Sequence, residues 1–213
     1  MNVLVIGANG QIGGRLVKLL KQEGKHQVKA LVRKPEQAEE LKAAGIEPVL
    51  GNLEDRVEAL AEAMQGCDAI VFAAGSGGST GLDKTLLIDL DGAVKTMEAA
   101  EQAGVKRYVI VSAMQAHNRE NWSEEIKPYY AAKHYADRML ESTGLQYTIV
   151  RPGGLTNDPG TGRISAAENL EPGSISRDDV AAVIAALLED PNAYRRGFDL
   201  VAGDTPIHEA FGR

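Results

Sequence analysis

Apolar and polar positions recur with two different periods along most of this chain. Short apolar runs predict strands at residues 2–6, 28–32, 47–50, 69–73, 108–111 and 147–150. Amphipathic patterns between them predict a first helix that reaches residue 20 and further helices at 35–44, 55–64, 84–103 and 127–142. Because strands and helices alternate along the chain, we expect an α/β fold with a doubly wound parallel sheet and helices on both faces.

The pattern changes after residue 151. Residues 152–175 are rich in glycine and proline and show no long periodic segment. A helix at 178–188, capped by Ser176, and a last strand at 198–201 follow. The irregular segment lies beyond the sixth predicted strand, at the sheet edge where open α/β folds bind ligands. We therefore expect one domain, 1–213, in which residues 152–175 form a small substrate cover.

Composition narrows the possible classes of protein. The 213 residues suffice for one domain, and the net charge of −7 disfavours a general nucleic-acid-binding surface. No apolar run approaches the about 20 residues of a membrane span. Cys67 is the only cysteine and the histidines show no metal spacing, so neither a disulfide within the chain nor a metal site is expected. We expect a cytoplasmic protein with a small-molecule substrate and no nucleic-acid or membrane partner; the oligomeric state stays open.

The first predicted strand runs into a loop with glycines at three-residue intervals, Gly7, Gly10 and Gly13. The first permits a tight turn, the second lets the backbone approach a pyrophosphate, and the third lets the helix pack on the sheet. The N-terminus of that helix then faces the phosphate charge. Strand, loop, helix and second strand in this order predict a dinucleotide site in a Rossmann-like domain. The other predicted cofactor contacts in the loop are Asn9, Gln11 and Ile12.

The second predicted strand ends in Arg33 and Lys34, where such folds bind the adenosine ribose. Sites that prefer NAD place an acid about 20 residues after the glycines, where it binds the ribose hydroxyls. A guanidinium at this position can instead bind a 2′-phosphate in a fork. The two cations favour NADP as the cofactor, and a solvated basic turn is the alternative.

Tyr129 and Lys133 are four residues apart in the predicted helix 127–142, so the phenol and the ammonium share one face. An ammonium nearby favours the phenolate, which helps a tyrosine to exchange protons near neutral pH. The pair is therefore a candidate for acid–base catalysis, with an ordinary surface pair as the alternative. Tyr130 must point elsewhere and is expected to pack.

These motifs together resemble a known family. The glycine loop, Ala73-Ala74-Gly75, Ser112 after the fifth strand, Tyr129-x-x-x-Lys133 and Arg151-Pro152-Gly153 occur in the order found in short-chain dehydrogenases/reductases. The resemblance covers essentially the whole chain. It is greatest to the atypical branch, which comprises NAD(P)H-binding and NAD-dependent epimerase/dehydratase-like proteins.

The resemblance implies a role for each matching position. Tyr129 would hand a proton to a carbonyl oxygen as hydride arrives from the nicotinamide, and Lys133 would bind the nicotinamide ribose. Ser112 would hydrogen-bond the substrate oxygen. Cofactor contacts are implied for Ala73, Ala74, Gly75, Pro152 and Gly153, and contacts beside the adenine for Asn52 and Leu53.

Two positions depart from the family pattern. Asp89 stands where the long helix of the family often carries an active-site Asn, and we keep it among the catalytic candidates. An ionised Asp only accepts hydrogen bonds, whereas Asn also donates them, so a proton relay through this position would differ. Asn52 replaces an Asp that is common before Leu53, although its amide can still contact an adenine edge.

The leading hypothesis is an NADP(H)-dependent oxidoreductase that moves hydride between nicotinamide and a small carbonyl or alcohol. A sugar-nucleotide epimerase or dehydratase is a second hypothesis, and the short chain beyond the sixth strand disfavours it. A non-catalytic NADP(H)-sensing regulator is a third, which Asp89 favours and the Tyr129/Lys133 pair disfavours.

Overall fold

A mostly parallel sheet of nine strands forms the centre of the fold. The computed structural model describes residues 1–78 and 80–211, so residues 79, 212 and 213 of the predicted domain lie outside the described part. The strands are β1 (Asn2–Ile6), β2 (Gln27–Val32), β3 (Glu47–Leu50), β4 (Ala69–Phe72), β5 (Arg107–Val111), β6 (Gln146–Pro152), β7 (Gly154–Thr156), β8 (Arg163–Ala167), β9 (Ser174–Ser176), β10 (Arg196–Ala202) and β11 (Thr205–Pro206). The order in the sheet is β11-β8-β10-β6-β5-β4-β1-β2-β3, and neighbours from β10 to β3 are parallel.

Helices connect these strands on both faces of the sheet. They are α1 (Gln11–Glu23), α2 (Pro35–Ala43), α3 (Val57–Ala63), α4 (Leu82–Lys84), a π-helix (Thr85–Gly92), α5 (Ala93–Gln102), α6 (Lys127–Glu141) and α7 (Arg177–Leu187). Single 3₁₀ turns lie at Arg119–Asn121, Glu124–Ile126, Pro191–Ala193 and Ile207–Glu209. The predicted α/β fold with a doubly wound, Rossmann-like sheet is confirmed. The predicted helix 84–103 is in fact three consecutive segments, with the π-helix in the middle.

Each face of the sheet has its own apolar core. Alternate strand residues such as Val5 and Val109 pack with α1 and α7 on one face. Their neighbours Ile6 and Ile110 pack with α3, α5 and α6 on the other. Strands covered on both faces are apolar along their whole length, which is why the sequence shows continuous apolar runs there.

The segment expected to be irregular contains regular structure. It includes β7, β8 and the first residues of β9, and β8 joins the main sheet antiparallel to both β10 and β11. β7 and β9 pair as a separate two-stranded sheet. Strands of three to five residues between glycines and prolines are too short to give a periodic signal. The role of residues 152–175 as a substrate cover stays a prediction.

The predicted cap of the last helix is confirmed. Ser176 precedes α7, and its hydroxyl accepts a hydrogen bond of 3.0 Å from the Asp179 amide. Among the helices described, none combines the length and the apolar character needed to cross a membrane.

Candidate functional site

A cavity of about 360 Å³ opens at the carboxyl ends of β1, β2 and β4. β1 lies between β2 and β4, so the strand order reverses at this point, which is where doubly wound sheets bind ligands. The predicted cofactor residues that line the cavity are Gly7, Asn9, Gly10, Arg33, Asn52, Leu53, Ala73, Ala74 and Gly75. Polar residues that line it without having been predicted are Gln37, Ser76, Thr80 and Lys84.

The glycine loop is shaped by close backbone contacts. Gly7 has φ +86°, and a Cβ atom there would lie 2.6 Å from the Ala74 nitrogen. A Cβ atom on Gly13 would overlap the carbonyl oxygen of Gly7, so α1 can pack this close only with glycine at that position. Gly10 caps α1 without a side-chain hydrogen bond, and the first turn of α1 has no acid. Because Gly10 lines the cavity, the free amides of this first turn form an anion-binding end beside it.

The remaining loop and strand-end predictions lie beside the cavity and do not line it. Ile12 packs in the core, while Gln11 begins α1 and its carbonyl accepts a hydrogen bond from Arg15. Lys34 is the N-cap residue of α2. The Pro152 carbonyl accepts from the Met114 amide, and the Gly153 amide donates to Leu200, so both fasten the end of β6. Cofactor contacts by these residues remain predictions.

Arg33 lines the cavity at the carboxyl end of β2, where its position in the sequence predicts it. It is exposed, and its backbone amide donates to the Gln37 side chain at 3.2 Å. Lys84 lines the same cavity and pairs with Glu54 at 2.7 Å. Among the lining residues that the structure describes, none is acidic. The charged side chains that line the cavity are therefore the cations Arg33 and Lys84, of which Lys84 is paired.

Tyr129 and Lys133 share one face of α6, as predicted. The Lys133 Nζ atom lies 5.6 Å from the centroid of the Tyr129 ring. Tyr130 stacks on Trp122, with ring centroids 6.0 Å apart, and meets the Tyr129 ring edge-on at 6.2 Å, which confirms its packing role. Lys133 is 2% exposed and donates to the Val111 carbonyl at 3.3 Å. Burial works to lower the pKa of Lys133, but Tyr129, Asp89 and Asp137 outweigh it and raise that pKa overall.

Asp89 lies between this pair and the cavity. Its Oδ1 atom is 3.1 Å from the Lys133 Nζ atom, and its Oδ2 atom accepts a 3.0 Å hydrogen bond from the Ser76 amide. Ser76 lines the cavity, so one carboxylate connects Lys133 to the cavity wall. The predicted catalytic candidates Tyr129, Lys133 and Asp89 are thus brought together.

Ser112 faces a different set of neighbours. It is 4% exposed and follows β5 on the side of Tyr108 and Ile110, toward α6. Burial raises the pKa of Asp137 on α6, and the Arg151 guanidinium and then the Ser112 hydroxyl oppose this rise. The hydroxyl therefore lies in a buried cluster beside Asp137 and is not among the residues that line the cavity. Its contact with a substrate oxygen remains a prediction.

Comparison with known proteins agrees with this geometry. A family model described as NAD(P)H-binding matches residues 7–191. The chain belongs to this NAD(P)H-binding family. The Bacillus subtilis protein YhfK, named an uncharacterized sugar epimerase, is 63% identical over 210 residues, which cover 99% of this chain and 98% of that protein.

Solved structures of similar proteins support the same family. The oxidoreductase ylbE from Lactococcus lactis superposes with a TM-score of 0.91 at 34% identity, over 99% of this chain and 95% of that one. ChuY from Escherichia coli O157:H7, described as an anaerobillin reductase, superposes with a TM-score of 0.84 at 26% identity, over 96% of this chain and 98% of that one. The resemblance to the atypical short-chain dehydrogenase/reductase branch is thereby confirmed. This NAD(P)H-binding protein is a member of an oxidoreductase/epimerase-like family.

Two buried acids near the site were not predicted. Asp199 on β10 is fully buried and accepts hydrogen bonds from the Gln115 side chain at 2.6 Å and from the Leu170 amide at 3.2 Å. It ties the loop after β5 to the segment before β9. The sequence could have revealed Asp199, because an aspartate within the apolar run 198–201 must be buried and a buried carboxylate needs polar partners. Asp137 is harder to recognise as buried, since helix 127–142 contains several other charged residues.

The buried pair of Asp137 and Arg151 gives the first prediction. The Arg151 Nε atom lies 3.0 Å from Asp137 Oδ2, and both side chains are at most 5% exposed. We expect Asp137→Ala to lower the free energy of unfolding by about 3–5 kcal/mol, because it leaves the buried guanidinium with only the half-exposed Glu141 carboxylate, 4.0 Å away, as a counter-charge. Urea unfolding at pH 7 measures this loss.

The matched control is Glu39→Ala, which removes an exposed ion pair with Lys42 on α2. Its expected cost is at most about 0.5 kcal/mol. Equal losses in the two variants would contradict a structural role for the buried pair.

Proposed function

We propose that this protein is an NADP(H)-dependent reductase that acts on a small carbonyl or alcohol substrate. The observation that carries the proposal is the Tyr129/Lys133 pair, which Asp89 and Ser76 connect to the wall of a cavity shaped for a dinucleotide. A proton-transfer group beside a cofactor cavity is what carbonyl reduction requires.

The residues around the cavity fit the cofactor. Glycine at position 7 lets the loop pack against the backbone of Ala73 and Ala74, and the first turn of α1, which has neither an acid nor a side-chain cap, offers amide donors for a pyrophosphate. Arg33 would bind the 2′-phosphate, and the adenine would lie beside Asn52 and Leu53. When bound, the nicotinamide supplies the hydride for reduction or accepts it in the reverse direction.

The remaining chemistry belongs to side chains of α6 and their neighbours. The Tyr129 hydroxyl gives its proton to the substrate oxygen as charge develops there. Lys133, held by Val111 and Asp89, keeps a positive charge beside that tyrosine. Because Lys133 is buried, its charge acts at low dielectric and stabilises the phenolate that remains.

Thermal melting with NADP⁺, NADPH, NAD⁺ and NADH, followed by turnover on a panel of aldehydes and ketones, tests the proposal. We expect stabilisation by the phosphorylated cofactors and consumption of NADPH measured at 340 nm. Stronger stabilisation by NAD⁺ would refute the cofactor assignment, and lack of turnover on the whole panel would refute the reaction.

A sugar-nucleotide epimerase or dehydratase is the second candidate, because the relative from Bacillus subtilis carries an epimerase name. Such an enzyme converts its substrate without net consumption of NADPH. Conversion of nucleotide sugars, followed by chromatography at constant NADPH absorbance, would favour it over the reductase. A sensor would bind cofactor and convert neither class of substrate.

Arg33 gives a prediction on cofactor choice. We expect Arg33→Ser to weaken NADPH binding about 10- to 100-fold, because a charge-assisted hydrogen bond to the 2′-phosphate contributes about 1.5–3 kcal/mol. NADH binding should stay within about twofold, because NADH lacks that phosphate. Isothermal titration calorimetry with both cofactors measures the two constants.

Lys42→Ser is the matched control, since Lys42 is an exposed cation on α2 that pairs with Glu39 and does not line the cavity. It should change the ratio of the two constants by less than about threefold, as expected for an exposed charge. The assignment of Arg33 fails if Arg33→Ser weakens both cofactors equally.

A further inference from the structure

A second cavity, of about 260 Å³, lies beside α6. The described residues that line it all carry charged or titratable side chains, and they are His117, His134, Asp137, Arg138, Glu141 and Arg151. None of these residues is among those that line the cofactor cavity. A ligand in this second cavity would therefore be a different molecule from the dinucleotide.

Helical spacing brings most of these side chains together. Residues 134, 137, 138 and 141 of α6 are three or four positions apart, so they share one side of the helix. Arg151 reaches this side from the end of β6, and His117 reaches it from the loop after β5. The cavity therefore lies where α6, β6 and this loop meet.

Arg151 brings a buried guanidinium to the cavity. The residue is 4% exposed, and its Nε atom donates to Asp137 Oδ2 at 3.0 Å. Glycine at position 197 on β10 leaves room for the group, because a Cβ atom there would lie 2.5 Å from Arg151 Nη1. Among the described residues, none accepts a hydrogen bond from Nη1 or Nη2, and the Glu141 carboxylate lies 4.0 Å from Nη2. The two terminal nitrogens therefore keep donors for a ligand.

The two histidines each carry a buried nitrogen that lacks a hydrogen-bond partner in the described part of the chain. These atoms are His117 Nδ1 and His134 Nε2. The other nitrogen of each ring is engaged, because His134 Nδ1 donates to the Ala116 carbonyl at 2.9 Å and His117 Nε2 lies 2.7 Å from Asn169 Oδ1. Buried polar groups are nearly always hydrogen-bonded, so two such atoms on the lining residues of one cavity indicate a polar ligand.

The charges around the cavity favour an anion. Asp137 compensates Arg151, whereas the exposed Arg138 side chain has no ion pair with any described residue. Glu141 is half-exposed, so its carboxylate can turn to solvent when another anion takes its place near Arg151. A metal ion does not suit the cluster, because no three His, Cys, Asp or Glu side chains of the described chain are placed to hold one. Guanidinium groups, in contrast, bind carboxylates and phosphates through paired N–H donors.

We propose that this cavity is a second binding site, which holds a small oxyanion, a carboxylate or a phosphate monoester, between the guanidinium groups of Arg138 and Arg151. The imidazoles of His117 and His134 add donors to the anion when they are protonated. The cavity of about 260 Å³ is smaller than the about 300–1,000 Å³ of pockets for drug-sized ligands, so the ligand is small. The site does not depend on the proposed reductase reaction.

The side-chain NMR signals of the histidines test the site without any activity. The chain has four histidines, and His26 and His208 lie outside the cavity lining. The probes are acetate, which represents a carboxylate, and sulfate, which represents a phosphate, both at constant ionic strength. We expect the signals of His117 and His134 to shift along saturable curves and those of the other two to stay in place. The probe with the lower dissociation constant identifies the class of oxyanion.

Two outcomes of this titration would overturn the proposal. One is an equal, unsaturable drift of all four histidine signals, which reports a general salt effect. The other is a saturable shift with glycerol but with neither anion, since glycerol offers hydroxyls without charge. A repeat with NADPH at saturation should give the same dissociation constants, and competition between NADPH and the anion would contradict a second site.

Three substitutions at exposed positions of α6 test the charges. Arg138→Gln should weaken binding of the preferred probe about tenfold, because one charge-assisted hydrogen bond is lost. Glu141→Gln should strengthen binding about threefold, because it removes a carboxylate that competes for Arg151. Lys127→Gln is the control, since Lys127 pairs with Glu124 outside the cavity lining, and it should change binding by less than about twofold.

The signs of these effects decide the assignment. Equal weakening by Arg138→Gln and Lys127→Gln would mean that the anion responds only to net charge, and the site would be refuted. Weaker binding in Glu141→Gln would refute the competition for Arg151 on which the anion assignment depends. Melting curves of the three variants, which we expect to coincide with that of the wild type, show that the fold is retained.

Discussion

Replacing Tyr129 by Phe is expected to lower carbonyl turnover by about 10²- to 10⁴-fold, the usual contribution of a positioned general acid. The substitution removes one oxygen and keeps the ring, which lies 5.6 Å from the Lys133 Nζ atom. The affinity for NADPH should stay within about twofold, because the phenol is not among the residues that line the cofactor cavity. Turnover at 340 nm and calorimetry measure the two quantities separately.

Tyr130→Phe is the matched control for this experiment. Tyr130 stacks on Trp122 by its ring, which phenylalanine keeps, so loss of its hydroxyl should leave turnover within about twofold. If Tyr129→Phe kept full activity, the acid would have to be another group. If both variants lost activity equally, packing of α6 would explain the loss better than proton transfer.

The second large effect is expected at Gly7. An alanine there would need φ +86° and would place its Cβ atom 2.6 Å from the Ala74 nitrogen and 2.7 Å from the Ala73 oxygen. The left-handed backbone costs about 1–2 kcal/mol, and displacement of the packed loop adds about 1–3 kcal/mol. Urea unfolding should show a loss of unfolding free energy equal to the sum of these two costs. NADPH binding should weaken about 100-fold, which corresponds to about 2.7 kcal/mol.

Gly24→Ala separates the two causes. Gly24 follows α1 with φ +66°, and no atom lies within 4 Å of its would-be Cβ. Gly24→Ala should therefore lower the free energy of unfolding only by the backbone cost of about 1–2 kcal/mol and leave NADPH binding unchanged. Equal effects of the two substitutions on binding would show that close approach of Gly7 to the loop 73–76 is unimportant.

The cofactor half of the site could be predicted because its signals are local. Gly7 and Gly10 belong to one turn, and Arg33 follows the adjacent strand in the same βαβ unit. The crossover in such a unit is almost always right-handed, and ligands bind at the carboxyl ends of its strands, so the position of a residue in the sequence predicts its place in the fold. Gly7, Gly10 and Arg33 line the cavity, as this rule predicts.

The proposed catalytic half of the site could be predicted only in part. The pairing of Tyr129 with Lys133 follows from helical spacing, which α6 confirms. The contact of Asp89 with Lys133 joins two helices 44 positions apart in the numbering and depends on a π-helix that propensities do not predict. The side of the sheet that Ser112 faces was predictable, because alternate residues of a strand share one face and Ser112 therefore follows Tyr108 and Ile110. Its neighbour Asp137 on that side was not.

For this protein, the sequence by itself determined the α/β order, the dinucleotide loop and the candidate acid–base pair, since each depends on residues within one or two adjacent elements. The tertiary structure alone decided which polar groups are buried together. Asp89 with Ser76, Asp137 with Arg151, and Asp199 with Gln115 each connect segments that are distant in the chain. The packing of whole helices and strands determines which buried charges meet, and no local sequence pattern predicts these pairs.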